Sequence, residues 1–169
     1  LTDLPGLAFA NKYVTSRNRT REIDWIVITN NTIASIEVKG TKQTGTLITN
    51  PNGPWTIGGQ KADFVGGPNP LGQTRKGAST VRGHLDTTNT ALGHYINAIT
   101  VISGDIITDP HKVGDTWVCT PHQLPGVLMR IGRKNINQQT ASAIAAALGQ
   151  PHLTTQQLEN ENFNTENEP

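Results

Sequence analysis

The sequence has little cysteine, few aromatic residues and no long hydrophobic run. Cys119 is the only cysteine among 169 residues, which excludes an internal disulfide and a cysteine-rich zinc site. It follows Trp117 and Val118 in a strand-like stretch, so we expect a buried, apolar role for it. No apolar run approaches the roughly 20 residues of a membrane span, and no signal peptide is visible. These absences predict one domain of ordinary size, cytoplasmic, without a membrane partner.

Charged residues are also few, at 16% of the chain, and they nearly cancel to a net charge of +1. This excludes a strongly electrostatic binder of nucleic acid. Four of the 13 acids lie in the last eleven residues, however, so the rest of the chain is more basic than the total suggests. We predict that Arg21, Lys42, Arg75 and Lys76 contact nucleic-acid phosphates. The alternative is that these side chains are solvated surface charges.

Glycine, proline, asparagine and threonine are plentiful, which predicts short elements joined by turns. Strands come first and helices then alternate with strands, which indicates an α/β fold with a mixed sheet. We assign residues 1–149 to this domain and residues 150–169 to a polar tail or linker. The expected strands are residues 9–14, 22–28, 33–38, 45–49, 55–57, 96–103 and 116–120, all in one sheet, and the expected helices are 69–89, 124–132 and 137–148.

Two of these strands form a predicted hairpin. Asn tolerates the positive φ angles of a tight turn, so we place the turn at Asn30-Asn31. Residues that face each other then have numbers that sum to 61. This register sets Asp24 opposite Glu37 and Glu22 opposite Lys39.

Alternation along the strands predicts two different faces. One face carries the charged residues together with Ile26 and Ile28. The other is almost wholly apolar and is formed by Ile23, Trp25, Val27, Ala34, Ile36 and Val38.

The charged end of the hairpin is suited to metal chemistry. Opposed side chains lie about 5 Å apart, so the carboxylates of Asp24 and Glu37 would repel each other without a cation. Hard oxygen ligands suit Mg²⁺ or Mn²⁺. Lys39 could orient an attacking water or neutralise developing charge. The alternative is an ordinary hairpin whose exposed end carries a weak Glu22–Lys39 ion pair.

Two stretches resemble a known family. Glu22-Ile23-Asp24, an apolar strand, a tight turn and then Ile36-Glu37-Val38-Lys39 resemble the core of the NERD (nuclease-related) domain of the PD-(D/E)xK nuclease superfamily. Asn69-Pro70-Leu71-Gly72-Gln73 resembles the Asn-Pro-x-x-Gln sequence that opens a helix in this family. The resemblance spans residues 5–130 and is strongest at 22–40 and 69–85.

The resemblance implies a restriction-endonuclease-like mixed β-sheet core flanked by α-helices. It also implies a nuclease that hydrolyses phosphodiester bonds with Mg²⁺ or Mn²⁺, acting on DNA, with RNA as the alternative substrate. Asp24 and Glu37 would bind the metal, and Lys39 would assist the attacking water. Gln73 would lie beside this catalytic site, and Glu22 matches a family acid of accessory role.

The chain departs from the family pattern upstream of the first strand. Relatives carry a glutamate on a helix there, whereas residues 1–21 contain no glutamate. We therefore expect either a helix before Leu1 or a site with one acid fewer. This departure keeps a second hypothesis open, namely a catalytically weak or inactive module that binds nucleic acid or docks on a protein. Either kind of domain could be an accessory part of a larger DNA-processing or signalling protein, with 150–169 as the linker.

Overall fold

The computed structural model describes residues 6–88, 90, 94–132 and 136–149, together with the backbone of 153–154. Along these residues the chain forms β1 (Leu7–Ser16), β2 (Arg19–Ile28), β3 (Ile33–Gly40), β4 (Gly45–Ile48), β5 (Thr56–Ile57), β6 (Gln60–Lys61), α1 (Leu71–Thr87), β7 (Ile96–Ser103), β8 (Ile106–Ile107), β9 (His111–Val113), β10 (Thr116–Cys119), a 3-10 turn (Pro121–Gln123), α2 (Leu124–Ile131), α3 (Gln138–Leu148) and β11 (Leu153–Thr154).

The main sheet is mixed, as predicted. Its strands lie in the order β11-β1-β2-β3-β7-β10-β9. The strands β1, β2 and β3 are antiparallel neighbours, because short turns join them. The strand β7 runs parallel to both β3 and β10, and a parallel neighbour needs a long crossover connection. Helix α1 lies within that crossover, so the α/β class with a mixed sheet is confirmed.

Helix α1 begins where the sequence indicates. The side-chain oxygen of Asn69 accepts a 3.1 Å hydrogen bond from the backbone N–H of Leu71. The carbonyl of Pro70 accepts one from Thr74 N–H, so Pro70 already has helical geometry. Asn69 thus caps the helix and Pro70 occupies its first turn. The apolar face of the helix is buried, with members Leu71, Ala78, Val81 and Leu85.

Apolar side chains pack on both faces of the main sheet. Helices α1 and α3 cover one face, where Phe9, Ile26 and Ile33 are fully buried. Helix α2 covers the other face, where Ile36 packs in one cluster with Cys119. Burial raises the pKa of the Cys119 thiol to about 12, so the predicted apolar role of this cysteine is confirmed.

The prediction that all strands form one sheet is wrong. A second, four-stranded sheet has the order β6-β5-β4-β8. Strand β6, which is not among the expected strands, pairs with β5. Strand β4 pairs in parallel with β8. The two strands of this sheet that the sequence did not predict, β6 and β8, have two residues each, which is too short a pattern to be recognised in a sequence.

The predicted alternation along β2 is also wrong at its N-terminal end. Ile23 packs in the same cluster as Ile26 and Ile28, although odd spacing should put it on the opposite face. The change occurs at Asp24. Its partner in the β1–β2 ladder would be Asn11, but the ladder has no pair at this position. Asn11 has a φ of 50°, in the left-handed region, and at this point the two faces of the β1–β2 pair are exchanged. Glu22 therefore does not share a face with Ile26.

No helix in the described part of the chain combines the length and the apolar character needed to cross a membrane. Apart from β11, residues 150–169 lie outside the described residues, and their assignment as a tail or linker stays a prediction.

Candidate active site

The β2–β3 hairpin has the predicted register near its turn. Trp25 faces Ile36 and Ile28 faces Ile33, so paired numbers sum to 61. The backbone N–H of Thr29 donates to the carbonyl of Thr32 at 2.9 Å, which closes the turn around Asn30-Asn31. The hydroxyl of Thr29 accepts a hydrogen bond from Thr32 N–H at 3.1 Å and further fixes the turn.

Counted from the turn, the last pair of the ladder between β2 and β3 is Trp25 with Ile36. Asp24 and Glu37, which come next, are not paired. Beyond Trp25, β2 continues beside β1, while β3 continues beside β7 as far as Gly40. The carboxylate of Asp24 fills the gap, because its Oδ2 accepts a 2.8 Å hydrogen bond from Val38 N–H. It therefore lies against the peptide bond that joins Glu37 to Val38. The predicted pairing of Glu22 with Lys39 is wrong, since the strands have separated and Glu22 is exposed.

Lys39 is buried, with an exposed fraction of only 7%. Its ammonium lies 3.0 Å from Glu37 Oε1 and donates a 2.8 Å hydrogen bond to the carbonyl of Val65. The two charged residues are two positions apart on β3 and so project from the same face of the strand. The buried Lys39 thus forms an ion pair with the partly exposed Glu37, where the alternative hypothesis had an exposed pair with Glu22.

The N-terminal part of α1 lies over this face. The hydroxyl of Thr74 is 2.7 Å from that of Thr100, and Thr100 is the β7 partner of Glu37. The neighbouring Gln73 places its amide against Gly66, where a Cβ would lie 2.8 Å from Gln73 Nε2. Gly66 also has a φ of 92°, so this position favours glycine. The loop that contains Val65 and Gly66 therefore lies between Lys39 and Gln73.

The donor set fits a hard divalent cation. One oxygen of each acid is used by the protein, Oδ2 of Asp24 by Val38 and Oε1 of Glu37 by Lys39. The second oxygen of each carboxylate takes no hydrogen bond from the described residues. Three or more clustered His, Cys, Asp or Glu do not occur in the described ranges. Mg²⁺ is commonly held by one or two carboxylates and completes its coordination with waters and phosphates.

The structure separates the four predicted phosphate-binding residues. Arg21 and Lys76 line one cavity together, between the β1–β2 hairpin and α1. Arg75 lies elsewhere and is paired with Asp115, with 3.0 Å between Nε and Oδ1. Lys42 is exposed beyond the end of β3. Two of the four thus converge.

The pKa of Asp115 reflects its pairing with Arg75. Desolvation is the largest single influence on the pKa of Asp115, and it raises that pKa. The hydrogen bond and the charge of Arg75 lower it, as do hydrogen bonds from the Asp115 backbone and Thr116, and the overall pKa is below 3.8. Arg75 is thereby already neutralised by the protein, which makes it a weaker candidate for phosphate binding than Lys76.

Sequence reasoning missed two groups of residues. The first is the Val65 carbonyl, which is a backbone group 26 positions from Lys39 and has no signature in the side-chain pattern. The second is the convergence of Arg17, Arg19 and Arg82 with Arg21: the sequence shows them as clustered bases, but only the structure shows that they line one cavity. Arg19 and Arg21 share a strand face, and their two-residue spacing was a usable signal.

Comparison with known families identifies one match. The family model described as NERD, nuclease-related domain, matches residues 2–103, which is more than half of the chain. This range contains β1 to β7, α1 and every residue of the candidate site. No curated protein and no solved structure matches the chain.

Proposed function

Since the chain belongs to the nuclease-related domain family, we propose that it is a divalent-metal-dependent nuclease that hydrolyses phosphodiester bonds in DNA. The catalytic centre is the open end of the β2–β3 hairpin, with Asp24, Glu37, Lys39 and Gln73.

The burial of Lys39 beside Glu37 is the observation that carries this proposal. Removing the ammonium of Lys39 from water costs several kcal/mol, and the attraction of the partly exposed Glu37 recovers that cost only with good geometry. An apolar pair would stabilise the end of the strand without this desolvation cost. The charges are therefore better explained by a role in chemistry, at the point where the ladder opens next to Asp24.

Asp24 and Glu37 are the residues that would hold Mg²⁺ or Mn²⁺. The chemistry supplied by such an ion when bound is activation of a water nucleophile and neutralisation of phosphate charge. The hydrogen bond from Val38 fixes the direction of the Asp24 carboxylate, so this ligand is oriented before a metal arrives.

Lys39 supplies a fixed positive charge and one remaining proton donor. An ammonium has three donors; Glu37 and the Val65 carbonyl account for two of them. The third is left for the attacking water or a phosphate oxygen. Because the ammonium is held from two sides, it needs little reorganisation when negative charge develops on the phosphate.

Gln73 contributes an uncharged donor and acceptor on the other side of the loop. Its amide lies against Gly66, and its side chain is exposed at the start of α1. From there it can hydrogen-bond a phosphate oxygen or a water on its side of the loop.

A cleavage assay on supercoiled circular DNA tests the proposed function. The wild type would be compared with Asp24→Asn and with the control Asp105→Asn, since Asp105 is an exposed acid outside the site. We expect cutting in Mg²⁺ or Mn²⁺ but not in EDTA, and a loss of at least about 100-fold for Asp24→Asn alone.

Cutting in EDTA, or equal cutting by Asp24→Asn, would contradict the proposal. Absence of cutting by all three proteins would also contradict it, and would favour the non-catalytic binding module.

A further inference from the structure

A strongly basic cavity lies between the tip of the β1–β2 hairpin and α1. Its volume is about 610 Å³. The basic side chains that line it are Arg17, Arg19, Arg21, Lys76 and Arg82, and Asp86 is the only acid in the lining. The lining thus carries a charge of +4, from five bases and one acid, whereas the whole chain carries +1.

Most of this positive charge is left without a partner. Arg82 pairs with Asp86 at 3.1 Å. The other four bases form no ion pair within the part of the chain that the structure describes. Like charges that share a concave site repel each other and concentrate a positive potential there, which attracts anions.

The walls of the cavity are fixed before any ligand arrives. His84 on α1 lies 3.2 Å from the carbonyl of Thr15 on the hairpin, with Nδ1 facing that oxygen. Ser16 occupies the space that a Cβ at Gly83 would need, so glycine allows the hairpin to rest on the helix. The cavity is therefore formed by two packed elements.

The tip of the β1–β2 hairpin has an arginine in a left-handed backbone conformation, which disfavours any residue other than glycine or asparagine. Arg17 and Asn18 have φ angles of 49° and 62°. Two-residue turns of this kind prefer Asn-Gly, because both positions are left-handed. A strained non-glycine residue suggests a functional reason for its side chain, and here the side chain lines the basic cavity.

A continuous stripe on α1 joins the cavity to the candidate active site. Gln73, Lys76, Thr80 and Gly83 follow helical spacing, and the last three line the cavity. On β2, Arg21 precedes Asp24 by three residues, or about 10 Å of strand. A DNA strand advances about 3.4 Å per nucleotide along the axis of a duplex, so this separation corresponds to about three nucleotides.

We infer that this cavity binds backbone phosphates of the DNA strand about three nucleotides from the bond held beside Asp24 and Glu37. The inference rests on the proposed function for the path of the strand. The recognition chemistry itself is independent of cleavage, because arginine, lysine and hydroxyl side chains bind phosphate oxygens in any DNA sequence.

Fluorescence anisotropy with a labelled single-stranded oligonucleotide in EDTA tests the inference without cleavage. The test variant is Arg19→Gln with Arg21→Gln. The control is Lys112→Gln with Arg130→Gln, which removes the same charge from outside the cavity. We expect at least about tenfold weaker binding by the test variant alone, and a salt dependence of log K that is shallower by about 1.5. Lys76→Gln, on the exposed face of α1, should give a smaller loss and serves if the double variant does not fold.

Equal affinity and equal salt dependence for the test and control variants would overturn the inference, as would failure of the wild type to bind the oligonucleotide. The two proposals can fail separately. If the protein binds DNA through these arginines but does not cut it in Mg²⁺, the inference about the cavity stands and the proposed nuclease activity is refuted. If the protein cuts DNA in a metal-dependent way but the arginine substitutions leave binding unchanged, the nuclease proposal stands and the inference about the cavity is refuted.

Discussion

The two ends of the β2–β3 hairpin are made from the same strands but are held together differently. Beside the turn, Ile28 faces Ile33, both are fully buried, and the backbone ladder is continuous. At the open end the ladder stops, the Asp24 carboxylate accepts from Val38, and Lys39 is buried against Glu37. Apolar burial stabilises the first end, whereas the second end accepts a desolvation cost. The difference indicates that stability and chemistry are divided along one hairpin.

The largest expected effect on stability comes from the turn end. Ile33→Ala should lower the free energy of unfolding by about 2–5 kcal/mol, because it leaves a cavity in a packed core. Urea unfolding measures this loss. A loss below about 1 kcal/mol would mean that the turn end is not the stabilising half.

The next effect separates two roles of Asp24. Asp24→Ala should cost about 1–3 kcal/mol, because Val38 N–H loses its acceptor. Asp24→Asn keeps an oxygen for that hydrogen bond, so we expect a loss below about 1 kcal/mol. Both variants should lose metal-dependent cleavage. Equal unfolding curves for the two variants would show that the hydrogen bond does not contribute.

Glu37→Gln should have a smaller effect on folding than Asp24→Ala. The sequence alone favours unchanged or slightly raised stability, because a repulsion with Asp24 is relieved. The Lys39 ion pair changes the expectation to a loss of about 1 kcal/mol, since a buried cation loses its counter-charge. Urea unfolding of this variant distinguishes the two signs, with cleavage expected to be lost in either case.

Gln73→Ala should have the smallest effect on stability, within about 0.5 kcal/mol, because the residue is exposed. We expect DNA cleavage to fall about 2- to 10-fold, which is the worth of one neutral hydrogen bond. A matched control is Gln60→Ala, an exposed glutamine on β6. Unchanged cleavage in Gln73→Ala would remove this residue from the site.

The sequence was sufficient for features that depend on local patterns. Asn30-Asn31 fixed the turn, and the sum of 61 then gave the pairing from Trp25 to Ile28. Asn69-Pro70 marked the start of α1. Turn chemistry and capping act over a few residues, which is why these predictions are confirmed.

Features that depend on distant partners were not predictable. The two faces of the β1–β2 pair are exchanged at Asn11, opposite Asp24, and nothing in the β2 sequence signals this. The Val65 carbonyl reaches Lys39 only because the loop that carries it folds back over β3. In the second sheet, β4 likewise pairs with β8, far along the chain.

The rate of DNA cleavage by wild type and Lys39→Ala in Mg²⁺ or Mn²⁺, on linear, circular and single-stranded DNA, shows whether the open end of the hairpin is the nuclease centre. Lys61→Ala is the control, because Lys61 is an exposed lysine on β6. We predict metal-dependent cutting that Lys39→Ala loses and Lys61→Ala retains. Cutting that persists in Lys39→Ala, or no cutting by the wild type on any of the three substrates, would contradict the assignment of the nuclease centre to the open end of the hairpin.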